Sequence, residues 1–185
     1  MRSRLLARAV GLTVLLAVTA CGAARPAPPD PVPDALAPTA LLSGSLHLYQ
    51  NTAPDTLAAF RQDRHDALIS DGKLWEIRRA DRLIGTLEIA TVKPDVNLAR
   101  PSVRGNFTAP ILVGATSDIR LSGQEVTTVQ SDDGVSTIVW FGRGLFEVLQ
   151  LKDAVVTGPQ LATAIIQYQQ TQSAWSPLPE LYAPS

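Results

Sequence analysis

The chain has 185 residues, 45% of them hydrophobic and 18% charged, with a formal net charge of −1 and a single cysteine. That length suits one domain with a core of ordinary size, and the charge balance gives no reason to expect nucleic acid, which would want a basic face. One cysteine excludes an internal disulfide framework.

Arg2, Arg4 and Arg8 open the chain, and residues 9–20 are almost wholly apolar around Leu12, Val14, Leu15, Leu16 and Val18. A basic start, a short apolar run and small residues before a break read as a secretory signal peptide over 1–20. The run is too short to cross a hydrocarbon core, which takes about 20 residues in a helix. The competing reading is the first helix of a cytosolic protein, and the prolines that follow argue against it. Val18-Thr19-Ala20-Cys21 resembles the lipobox of bacterial lipoproteins. The resemblance covers only these first 21 residues. It implies cleavage between Ala20 and Cys21, a diacylglyceryl group on the Cys21 thiol, and acylation of the new amino terminus. The membrane is then the first partner, reached through a lipid anchor on the extracytoplasmic face. Two acyl chains are enough for stable anchoring, where one is marginal. Loss of the signal removes three arginines and no acid, which leaves 13 basic and 17 acidic side chains.

Residues 22–40, GAARPAPPDPVPDALAPTA, hold six prolines. Proline fixes φ and removes a donor, so the segment favours extended polyproline II. Residues 21–44 therefore read as a lipidated, Pro/Ala-rich tether, 45–172 as one globular domain, and 173–185 as a Pro/aromatic tail. Within the domain, Thr52, Pro54 and Asp55 start a helix over about 53–69, which Asp71-Gly72 ends. Residues 73–79 and 83–93 alternate as a hairpin. Arg78, Arg79 and Arg82 crowd its tip, where they either touch anionic headgroups or sit in water.

Pro101 opens a second helix, with Phe107 and Ile111 on one side and Pro110 as a break. Three strands follow: 119–130, with a turn or bulge at Ser122-Gly123, then 135–142 after Asp132-Asp133-Gly134, then 145–152 after Gly142-Arg143-Gly144. In the last two, Val139 and Phe141 oppose Ile138 and Trp140, and Leu149 and Leu151 oppose Phe146 and Val148. Strands apolar on both faces lie in the middle of a covered sheet. Thr157-Gly158-Pro159-Gln160 caps a C-terminal helix over about 159–171, with Leu161, Ile165 and Tyr168 as its stripe. The expected class is α+β, an antiparallel sheet of about five strands packed by two or three helices. That order of elements resembles the Mog1/PsbP-like fold of some exported lipoproteins, with no motif in support.

The two histidines, His47 and His65, have no metal-binding or nucleophile motif around them, so neither a catalytic set, a metal nor a cofactor is expected. Asp63-Arg64-His65-Asp66 is the densest polar cluster, but consecutive helical positions point apart and it reads as a solvated face. The tail places Trp175, Leu178, Leu181 and Tyr182 among prolines, either as a strap across the domain or as contacts for a partner. The functional expectation is a membrane-anchored, non-catalytic accessory domain that meets an envelope protein. The alternative is a lipoprotein that binds a lipid or small apolar ligand between sheet and helices, and a hydrolase built on His65 or His47 comes third.

Overall fold

A computed structural model describes residues 31–56 and 68–178. Its frame is one antiparallel sheet of eight strands. These are β1 (Ala40–Leu41), β2 (Leu46–Asn51), β3 (Ile69–Arg79), β4 (Arg82–Val92), β5 (Thr116–Leu121), β6 (Gln124–Gln130), β7 (Ser136–Gly142) and β8 (Leu145–Leu151). The spatial order β1-β2-β3-β4-β8-β7-β6-β5 is two meanders joined edge to edge through β4 and β8. Helix α1 (Pro101–Thr108) lies in the link between them, and α2 (Gly158–Gln169) follows the last strand. Of the helix expected over 53–69, residues 54–56 are helical and 57–67 lie outside the described residues, but its end is not helical: Leu68 is in a turn and Ile69 already begins β3.

The class is α+β as expected, but the sheet has eight strands rather than about five. Two differences account for the count, and a third lengthens β3. The stretch 119–130 is not one strand: Ser122 (φ +49°) and Gly123 (φ +82°) are both left-handed, the geometry of a tight hairpin turn whose twist matches its strands. β1 and β2 were hidden behind the prolines, although Leu46 and Leu48 alternate inward from exposed His47 and Tyr49. Asp71-Gly72 does not end a helix; it lies inside β3, next to an irregularity between Ile69 and Asp71.

The sheet has a core on each face, as the two-sided pattern of β7 and β8 requires. On one face Leu87, Ile89, Ile138, Trp140 and Leu149 pack under α2, whose Leu161, Ala162, Ile165 and Ile166 are fully buried. Burial of a Leu or Ile side chain stabilises by roughly 1.5–3 kcal/mol, so this helix is held by its packing. Its start is also fixed: Thr157 accepts from the Gln160 backbone at 3.4 Å, and the Gln160 side chain accepts from the Thr157 N–H at 3.1 Å. On the other face Phe107 of α1 meets Phe146 and Phe141, with ring centroids 5.0 and 6.1 Å away. Pro101 stands at the first turn of α1, and the helix stops before Pro110.

The packed body begins earlier than residue 45. Val32, Leu36, Ala37 and Leu41 are buried with the α2 core, inside the stretch read as tether. The Val32 N–H donates to Asp71 at 3.0 Å, and Lys73 Nζ donates to the Val32 carbonyl at 2.6 Å. Among the described residues no helix is long and apolar enough to cross a membrane.

Candidate functional site

Chain entry, β7–β8 turn and chain exit converge at one end of the sheet. The turn is Arg143-Gly144, between the paired residues Gly142 and Leu145. The exit segment crosses it: Pro177 forms a bridge with Gly142, and the Arg143 N–H donates to the Ser176 carbonyl at 2.8 Å. Two concavities of about 410 and 510 Å³ adjoin there and share Val92, Pro94, Arg143 and Gly144. Pro31, Pro33 and Ala174 complete the first, while the 93–99 loop and Leu178 complete the second. Their walls are partly apolar, with the exposed Arg143 between them. The hydroxyls of Ser70 and Thr91 lie 3.0 Å apart in the first wall.

Immediately behind that turn lies a buried acid. Glu147 on β8 pairs with Ile89 on β4 and Trp140 on β7, and it is wholly buried beneath α2. Gln169 spans it: Nε2 donates to Glu147 Oε2 at 2.5 Å and to the Leu36 carbonyl at 3.1 Å, while Oε1 accepts from Trp140 Nε1 at 3.4 Å. The Trp175 indole N–H faces the carboxyl without reaching hydrogen-bond geometry. It and Glu147 Oε1 are the buried side-chain atoms left without a partner among the described residues. Loss of water disfavours the charge and raises the Glu147 pKa to about 8, against the opposing pull of Gln169, Trp140 and Trp175. Glu147 is thus neutral at pH 7 and sealed from solvent, whereas His47 is exposed beside Tyr49, with ring centroids 6.3 Å apart.

The sequence named neither Glu147 nor Gln169. The signal was present, because alternation through Leu145, Glu147, Leu149 and Leu151 puts the acid in a row of core residues. Of the tail residues, Leu178 is 6% exposed in the Phe107 core, and Trp175 packs half-buried against the other core. Both are engaged by the domain itself. Ala20, Cys21, His65, Leu181 and Tyr182 lie outside the described residues. No family model, curated protein or solved structure matches the chain, so the site stands on its own geometry.

The arginines of the β3–β4 tip are occupied. Arg78 pairs with Glu76 at 2.7 Å, and Arg79 and Arg82 reach the two oxygens of Asp153 at 3.1 and 3.2 Å. Burial opposes ionisation of Asp153, but the Val155 and Val156 N–H groups and the two guanidinium charges outweigh it and lower its pKa. Such a group stabilises the fold above the ordinary carboxylate range, and that contribution is lost as pH falls through the lowered folded value. Asp153→Ala is expected to cost about 1–2 kcal/mol in urea titrations at pH 7, as for loss of a capping acceptor. The deficit should shrink below about pH 4, near the unfolded carboxylate value.

Proposed function

We propose that this chain is a lipid-anchored, extracytoplasmic accessory domain that acts by contact with an envelope protein and not by catalysis. The signal is removed before Cys21, and acyl chains on Cys21 hold the mature protein to the cell membrane. The observation that carries the reading is the point of entry: Pro31 and Pro33 line the concavity beside Arg143. About ten residues separate Cys21 from Pro31, a reach of at most roughly 35 Å. An anchor at Cys21 therefore holds the Arg143 end within about 35 Å of the bilayer. The β3–β4 tip stands off by the length of β4, about 35 Å.

Two features favour contact over chemistry. Glu147, the acid with the raised pKa, is closed off beneath Gln169 and two indoles, where no substrate reaches it. His47 stands on an exposed strand face next to Tyr49 and an arginine in register, Arg78, with no nucleophile among its neighbours in the ladder. The mature charge balance gives no attraction for nucleic acid. A second reading, a small ligand, rests on the adjoining volumes, since binding sites span about 300–1,000 Å³. An added mass in native mass spectrometry of the purified domain supports that reading over the first.

The anchor is tested by expressing the full chain and its Cys21→Ala variant in a lipoprotein-processing bacterium. The natural sequence is expected to take up labelled fatty acid and enter the detergent phase, and the variant to do neither. Equal behaviour of the two rules out the anchor.

A further inference from the structure

We propose that residues 173–178 form a gate over the Glu147 carboxyl, closed in this structure, whose opening hydrates the carboxyl and opens one wall of each concavity beside Arg143. The gate belongs to the domain itself and does not depend on the anchor.

Three covers keep water from Glu147, and they differ in strength. The sheet beneath it is continuous, with β4 on one side of β8 and β7 on the other. Helix α2 above it is fixed by four fully buried apolar residues and a capping box. The third cover is the exit segment. Its backbone is held by the Pro177–Gly142 bridge, with the Arg143 N–H donating to the Ser176 carbonyl at 2.8 Å, and by the Trp175 N–H donating to the Gln172 carbonyl at 3.2 Å. Its side-chain hold is Leu178 and a half-buried Trp175. Segments with few buried apolar contacts open first, so the exit segment is the weakest wall. Gly142 shows how close it lies: a Cβ there would stand 3.2 Å from Trp175 Nε1 and 3.3 Å from the Ser176 carbonyl. The same segment walls both concavities, through Ala174 in one and Leu178 in the other. Lifting it opens one wall of each.

The closed state is poorly matched to either form of the acid. Gln169 Nε2 donates to Oε2, and Oε1 has no hydrogen-bond partner. An ionised carboxyl is cut off from water. The groups packed around it are Ile89 on β4, Trp140 on β7, Gln169 on α2, Trp175 on the exit segment and the Leu36 carbonyl. None of them is charged, and no charged side chain contributes to its shift. Proton release is therefore coupled to hydration. The closed form holds its proton until about pH 8, whereas a hydrated glutamate releases it near 4.3. Between these values the open form gains about tenfold in population for each pH unit.

Amide hydrogen exchange on the full domain tests this, read at Trp175 and at Arg143, whose N–H is bonded to the exit segment. After correction for intrinsic rates, both amides should exchange ahead of core amides such as Val139 and Ile138. Their protection should fall about tenfold between pH 6 and pH 7, and Glu147→Gln should abolish that dependence. Should Glu147→Gln not fold, Glu147→Leu serves for the same comparison. The proposal is overturned if Trp175 and Arg143 exchange only together with the core. It is equally overturned if their protection does not change with pH, or if the variant keeps the same slope.

Discussion

Glu147→Gln is expected to stabilise the folded chain by about 2–4 kcal/mol at pH 7.5, an unusual sign for a substitution in a core. The unfolded glutamate ionises near pH 4.3, while the native one stays protonated up to about 8. Between those values the native state binds more protons than the unfolded state. Stability therefore falls as pH rises, by about 1.4 kcal/mol per unit, and levels off above the folded value. Glutamine keeps the oxygen that accepts from Gln169 and removes the proton equilibrium. Its amide nitrogen takes the place of Oε1, an atom without a partner here, which returns part of the gain. Urea titrations at pH 5, 6, 7 and 8 check this. The gap between variant and natural sequence should widen with pH and close near pH 4. A constant gap means that the native carboxyl titrates as the unfolded one does.

The second large effect is at Gly85, where Gly85→Ala is expected to cost about 3 kcal/mol or more. Gly85 on β4 pairs with Leu151 on β8 and Ile77 on β3, in the strand that joins the meanders. A Cβ there would collide with the Gln150 carbonyl and stand 3.1 Å from Leu151 Cα. Both are backbone atoms of the adjoining strand, so relief means parting β4 from β8. Gly105 in α1 is the contrast, with open space around its Cβ position. Gly105→Ala there should add about 0.5–1 kcal/mol. Thermal melts of the two variants should therefore move in opposite directions, and a neutral Gly85→Ala contradicts the close β4–β8 approach.

How far the fold was legible depended on whether the pattern was local. The apolar faces of β7 and β8 assigned Val139 and Phe141 to one core and Ile138 and Trp140 to the other, and that is how they pack. The Thr157 cap and the Pro101 start were equally readable, because each is set by a few adjacent residues. The failures came where distant packing decided. Val32, Leu36 and Leu41 sit among prolines and form no periodic stripe, yet their partners on α2 and β3 bury them. Ser122-Gly123 gave a turn signal, but only pairing of Thr116–Leu121 with Gln124–Gln130 shows a hairpin in place of a bulge. At the candidate site, Gln169 lies on the buried face with Leu161 and Ile165, but as a polar residue it adds nothing to an apolar stripe. The convergence of entry, β7–β8 turn and exit at one end of the sheet follows from strand order, which no single stretch of sequence encodes.

The account turns on an interior carboxyl that stays neutral at physiological pH because the exit segment and α2 exclude water from it. The most direct measurement is a carbon-13 NMR titration of the Glu147 side-chain carboxyl in the folded domain, with Glu147→Gln to assign the signal. The midpoint should fall near pH 8, with core resonances away from the exit segment unchanged through the transition. A midpoint near 4.3 would mean a hydrated, ionised acid within reach of solvent, and would contradict both the sealed interior and the gate.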